Sequence, residues 1–395
     1  MPRSQRYLLT PICVVLLIRC ADPPTPQYPP TASSPHFTPT VLQVGKSPNS
    51  IETADFNHDG SPDLAIANDE DSSVYILINN GKGQFSPAPG SPFSTNRHPN
   101  DIAIADFNKD GNPDLAIANT EIAELTVLLG NGKGQFSQAP HSPFVVYARP
   151  HTHGIAVADF NSDGRLDMAT DDWGENKVSI IFGDSNDSGL NFGHQTFYAV
   201  GRRPYQRLRT ADVNQDGKPD LITTNLESNN STVLLGQGDG SFKEAPGSPF
   251  PCGDAPFAVA IGDINGDDHP DLAITDAPTI TSESKGSDGL YILLGDGKGN
   301  FQPLRGSPFT TGKSPSRLAI SDLNGDGIND IAVTNYNDKT ITIFYMNRTG
   351  IAGMATIQAG DHPDGICIAD LNKDGKNDIA VTNQRDGTLM IFLNK

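Results

Sequence analysis

The stretch DFNKDGNPDLAIAN, residues 106–119, sets three aspartates and two asparagines into nine positions and then turns apolar. Nearly the same loop is written seven times. Its first aspartate falls at Asp55, Asp106, Asp159, Asp212, Asp263, Asp322 and Asp370, at intervals of 51, 53, 53, 51, 59 and 48 residues. A fixed period near fifty residues signals a repeat architecture, in which each unit buries its apolar face only against its neighbours. That period constrains the fold more than any other feature. It also overrides the two or three domains that a length of 395 residues suggests.

The loop core reads Asp-x-Asn-x-Asp-Gly-x-x-Asp. Asparagine holds the third position in every copy: Asn57, Asn108, Asn161, Asn214, Asn265, Asn324 and Asn372. Aspartate holds the fifth (Asp59, Asp110, Asp163, Asp216, Asp267, Asp326, Asp374) and the ninth (Asp63, Asp114, Asp167, Asp220, Asp271, Asp330, Asp378). Short oxygen side chains at alternate positions of a tight loop suit a hard cation, and calcium takes six to eight such oxygens. The expectation is up to seven structural Ca2+ ions. Glycine at position 6 supplies a positive φ for the turn, and Asp268 breaks that rule in the fifth copy. An EF-hand requires glutamate at position 12 between two helices. Position 12 of the second copy is Ile117, and the flanks DIAIAD and DLAIAN have strand length and strand patterning. The unit is strand–loop–strand.

Within the second repeat, DIAIAD, DLAIAN, ELTVLLG and a weaker segment after NGKGQF read as four strands. Four short strands per repeat make a propeller blade. The chain stops at TLMIFLNK, the third strand of the seventh repeat, and an orphan strand FTPTVLQVG precedes the first. That orphan fills the missing fourth position and closes the ring, which hides edges that an open array would expose. The expected fold is an all-β, seven-bladed β-propeller over residues 37–395. This pattern resembles the FG-GAP/VCBS repeat family, the calcium-loop seven-bladed propellers that include the integrin α-subunit head and some fungal lectins. Members bind proteins or sugars and a few are enzymes, so the resemblance implies the fold more sharply than the function.

Residues 1–19 read as an export signal, with Arg3 and Arg6 before an apolar core too short to span a bilayer. LLIRC resembles a lipoprotein cleavage box ending at Cys20, although Arg19 departs from it. A Pro-rich tether, residues 20–36, follows. The expected location is extracytoplasmic, secreted or anchored through Cys20. Cys252 and Cys367 lie in non-neighbouring blades, so no disulfide framework is expected. The formal charge is −19, or −22 once Arg3, Arg6 and Arg19 are removed, and twenty-one motif aspartates carry nearly all of it. That distribution excludes nucleic-acid binding and marks an unfilled metal inventory.

In a four-strand meander the first loop of each blade lies on one face, and the loops between the second and third strands and between blades lie on the other. On that second face, blades three and four bring Arg149, His151, His153, Arg202, Arg203, Tyr205, Arg207 and Arg209, with Trp173, the one tryptophan, in DDWGENK. These basic and aromatic residues are expected in surface loops, as a site for a carboxylate-bearing ligand. The candidate ligand residues are Arg149, His151, His153, Trp173, Arg203, Tyr205 and Arg207. No nucleophile elbow or phosphate loop is present, and GKS at 312–314 lacks the upstream glycine. Three functions stay open. One is a monomeric binding or adhesion module for a glycan or protein. Another is a lyase on uronate glycans, with His151, His153 or Tyr205 as base and Arg207 neutralising the carboxylate. The third is a structural surface scaffold.

Overall fold

The computed structural model describes residues 37–395, apart from residues 121, 148–151, 187–188 and 279–287. Arg149, His151 and Cys20, and the segments expected as export signal (1–19) and tether (20–36), lie outside the described residues. The described residues form seven antiparallel sheets, with no α-helix among them. Each sheet is a blade whose strands run A to D from the axis outward.

The inner A strands are Pro48–Ala54, Pro99–Ala105, Ile155–Ala158, Pro204–Ala211, Pro256–Gly262, Pro315–Ser321 and Pro363–Ala369. Each packs on the next around the axis, and the last packs on the first, so the ring is closed. The B strands, of which Asp114–Asn119 is typical, are buried at all six positions. That burial explains why DLAIAN is apolar on both faces rather than alternating. Core clusters sit between blades: Phe56, Ile76 and Ala88 of the first blade pack with Ile102, Leu115 and Leu128 of the second.

Ring closure is as expected. Thr38–Gln43 pairs antiparallel with Thr388–Leu393, from Thr38 opposite Leu393 to Gln43 opposite Thr388, and serves as the D strand of blade seven. The outer strands differ from the expected uniform set. In blades one, two, four and five the D strand is broken into two short pieces, both paired with strand C. The break falls at a Ser–Pro pair such as Ser91-Pro92 or Ser142-Pro143. There the serine hydroxyl takes over an orphaned ladder donor: Ile76 N–H donates to Ser91 Oγ at 2.9 Å, and Val127 N–H to Ser142 Oγ at 2.9 Å. Proline cannot continue a ladder, so the repeated SPF sequence interrupts the edge. Blades three and six keep continuous outer strands, Gly189–Ala199 and Gly350–Gln358. Cys252 and Cys367 are buried free thiols, consistent with the absence of a disulfide framework.

Candidate functional site

The repeated loops connect strands A and B. Their second residue, which the motif leaves open, is apolar and buried: Phe56, Phe107, Phe160, Val213, Ile264, Leu323 and Leu371. It anchors the loop in the core, and its backbone serves two partners. The Phe56 carbonyl accepts from Gly134 N–H of the following blade at 2.9 Å, and Phe160 from Gly240 at 3.0 Å. Its N–H donates to the ninth-position aspartate, as Phe56 does to Asp63 Oδ2 at 3.0 Å.

That aspartate opens every B strand and is fully buried. Its second oxygen accepts a backbone N–H from the end of strand C: Asn79 to Asp63 at 2.7 Å, Gly130 to Asp114 at 2.7 Å, Gly183 to Asp167 at 2.8 Å, and likewise in the other four. Burial pushes Asp63, Asp114, Asp167, Asp220, Asp271 and Asp378 up to about 6 and Asp330 up to about 7, outweighing the two N–H donors that oppose it. The ninth position is therefore a clamp that ties the loop to strand C.

Positions 1, 3 and 5 are partly or fully exposed. In the second copy the Asp110 N–H is shared by Asp106 Oδ1 and Asn108 Oδ1, both at 3.0 Å, while Gly111 N–H donates to Asp106 Oδ2 at 2.9 Å. Position 4 takes a positive φ even without glycine: His58, Lys109, Ser162, Gln215 and Lys373 lie between 56° and 60°. Asp268, at φ 66°, copies the turn that Gly111 makes at 85°. Among the described residues no group of three His, Cys, Asp or Glu side chains gathers round a metal position. By donor chemistry the set still fits a hard cation, since every side chain at positions 1, 3 and 5 offers oxygen, although the oxygens of positions 1 and 3 here share the Asp110 N–H.

Hydrogen bonds fix the two faces. The loop between strands C and D of one blade touches the A–B loop of the blade before it. On the opposite face Asp69 N–H, in a B–C loop, donates to Ser47 O of the incoming D–A segment at 3.0 Å.

On that opposite face the expected patch divides. Arg203 lies over Trp173, 4.4 Å from guanidinium carbon to ring centre, and pairs with Glu227 at 2.7 Å. Asn176 Oδ1 accepts Arg203 N–H at 2.8 Å. Arg202 is exposed and donates to the Glu227 carbonyl at 3.3 Å. Tyr205 packs against His153 at 4.4 Å and Phe257 at 5.3 Å. His153 is buried, and Asp171 Oδ1 accepts both His153 N–H at 3.0 Å and Gly154 N–H at 2.5 Å. The expected surface-loop location of His153, Tyr205 and Arg207 is thus corrected. Tyr205 and Arg207 lie in an A strand, and Arg207 points into the central channel with 8% exposure. The base and neutralising arginine of the lyase arrangement do not assemble at the surface among the described residues.

The channel holds what the sequence reading missed. Asp101, with no exposure, faces Arg207 Nη1 at 3.5 Å, Arg209 Nη1 at 3.1 Å and Arg317 Nη1 at 3.7 Å. Ser50 Oγ and Ile155 N–H each donate to it at 3.3 Å. Arg317 Nε reaches Asp364 at 3.5 Å and Arg207 reaches Glu52 at 3.3 Å. Six blades meet in this network. Burial pushes Glu52 up to about 7, against the pull of Arg207, and burial likewise raises Asp364. A readable signal existed: Asp101, Arg207 and Arg317 each stand five residues before a loop's first aspartate.

A cavity of about 550 Å³ opens at the blade-seven seam, lined among others by Lys46, Glu70, Tyr336, His362, Gln384 and Arg385. It lies on the face of the D–A and B–C loops. The Tyr336 ring stands edge-on to His362 at 4.3 Å, its hydroxyl donates to Gln384 Oε1, and burial pushes the phenol up to about 12.

Fold and loops together define a seven-bladed propeller built from strand–loop–strand repeats. The family model for the FG-GAP-like repeat matches residues 55–117, 106–170, 212–274 and 322–381, and the chain belongs to that family. Among solved structures, the complex of BBS1N with ARL6DN is similar at 12% identity, covering 90% of this chain and 97% of that one, with TM-score 0.59. A catalytically inactive virginiamycin B lyase from Staphylococcus aureus with quinupristin is similar at 15% identity, covering 91% and 100%, with TM-score 0.57. At these identities the likeness concerns the fold. No curated protein matches the sequence.

Proposed function

We propose that this chain is an extracytoplasmic binding module, with calcium in its A–B loops and its ligand on the opposite face. The observation that carries the reading is the cavity at the blade-seven seam. It is large enough for a sugar residue and combines Lys46 and Arg385, together with the carboxylates of Glu70 and Asp386, with the Tyr336 and His362 rings. Charged groups of both signs beside aromatic edges suit a polar ligand such as a sugar, whose hydroxyls both donate and accept. The Arg203–Trp173 pair offers a second contact on the same face, where an incoming carboxylate takes the place of Glu227. When bound, calcium supplies positive charge that draws the loop oxygens together. The first, third and fifth side chains would hold it, with the position-7 carbonyl, while the ninth aspartate keeps strand C in place.

A glycan and protein array probed in calcium tests the reading. Binding that falls with Lys46→Ala and Arg385→Ala places the ligand in the seam cavity. Loss with Arg203→Ala and Trp173→Ala places it at blades three and four. A ligand indifferent to both pairs overturns the face assignment, and an array without any ligand favours the scaffold.

A further inference from the structure

Blade three departs from its neighbours in a way that builds a second cavity, on the A–B loop face. Its outer strand Gly189–Ala199 is continuous, so His194, Thr196 and Tyr198 stand in a row at alternate positions. The C–D pairing shifts register between Ile181 and Gly183, where two residues of the outer strand, Gly193 and His194, stand opposite the single residue Phe182, so the bulge lies in the outer strand. Bulges re-aim side chains. Here the Phe182 ring lies nearly parallel to His194, with centres 5.5 Å apart and planes 18° apart. The residue at this place elsewhere is Ile78, Leu129, Leu235, Leu294 or Leu393, and Tyr345 in blade six. An aromatic wall exists where most blades carry an aliphatic residue.

The cavity has a volume of about 500 Å³ and is lined by Phe182, His194 and Tyr198 and by Asp163, Asp184 and Asp239. Tyr198 is fixed by its hydroxyl donating to the Gly240 carbonyl at 3.3 Å and by its edge contact with Phe242 at 5.3 Å. Ser241 donates to Asp239 through both its N–H, at 3.0 Å, and its hydroxyl, at 2.5 Å, and the hydroxyl bond holds Asp239 below the usual carboxylate range. Arg165 also lines the cavity, but it already pairs with Asp163 at 3.6 Å. With Asp163 given to its own loop and to Arg165, and Lys218 paired with Asp216 at 3.5 Å, Asp184 and Asp239 are the carboxylates left to the cavity, and aromatic rings beside them attract a cation that carries carbon on its nitrogen.

We infer that the blade three–four cavity on the A–B loop face binds an organic ammonium group. The aromatic wall takes its alkyl surface, and Asp184 and Asp239 take its charge. Asp163 belongs to the third A–B loop, so the site must be separated from that loop experimentally. Titration calorimetry of the full chain in saturating calcium, with tetramethylammonium chloride as probe and glucose and acetate as controls, does this. Saturable binding of tetramethylammonium alone is expected. Phe182→Leu should weaken it about fivefold or more, as should Asp184→Asn combined with Asp239→Asn. The two asparagine changes sit at exposed positions, so an unaltered melt will accompany their loss of binding. The inference is overturned by equal or tighter binding of glucose, by affinity indifferent to both sets of variants, by absence of saturable binding, or by binding that calcium abolishes.

Discussion

The A–B loops and the central channel are both built from aspartates, and they use them in opposite ways. Each loop satisfies its carboxylates mainly within its own blade: Asp114 accepts from Phe107 and Gly130, and Asp106 from Asp110 and Gly111. In the channel one carboxylate serves several blades, with Asp101 of blade two meeting groups from blades one, three, four and six. Repetition makes the loops modular and their contributions additive. The hub is singular, and its loss reaches the whole ring. Distance decides this difference, since additive behaviour holds for separated sites and fails inside one network.

The largest expected effect tests the modular side. With about 1 mM calcium and a dissociation constant near 0.1 mM, each site adds about 1.4 kcal/mol, and seven add roughly 10. Chelation should therefore lower the melting temperature by more than about ten degrees. An unchanged melt after verified metal removal would take calcium out of the loops altogether. Next comes the hub. Asp101→Ala leaves buried Arg207 and Arg317 without their shared partner and should cost about 3–5 kcal/mol, read by denaturant midpoint. A loss below about 1 kcal/mol would mean the channel tolerates its arginines unpaired, and the contrast with the loops would collapse.

Within a loop, the comparison sharpens. Asp114→Ala removes the acceptor of two backbone donors and should cost about 1–3 kcal/mol with or without calcium. Asp110→Asn should matter only when calcium is present. Identical behaviour of the two variants across a calcium titration would return the ninth position to the ion. The smallest effect belongs to the fifth loop, where Asp268→Gly should raise stability by about 1 kcal/mol at fixed calcium, relieving a left-handed backbone. A loss there would identify the aspartate as a ligand in its own right.

What the sequence made legible follows from the same contrast. Blade number, loop position and ring closure are periodic, so each copy corroborated the others. The clamp role of Asp63 was hidden because its second donor, Asn79, lies sixteen residues away and donates through backbone. Arg207 was misplaced because the segment before the fourth loop is one residue longer than in repeats one, two, five, six and seven, which blurs where the D–A loop ends and the A strand begins. The broken outer strands were faintly visible in SPF. The hub joins residues such as Asn100 and Arg317, 217 positions apart, and no local pattern announces such a pairing.

The direction of the first strand carries a mechanical consequence. Thr38 lies beside Leu393, at the edge where the A–B loops sit, and the strand then runs across the disc to Gln43 beside Thr388. Any pull transmitted from the N-terminal side thus arrives at the A–B loop edge and travels along the strand axis. The six register pairs with Thr388–Leu393 share that force in parallel, like a lap joint, instead of peeling one after another. The same geometry puts the seam cavity and the D–A loops on the face away from the end where this strand begins.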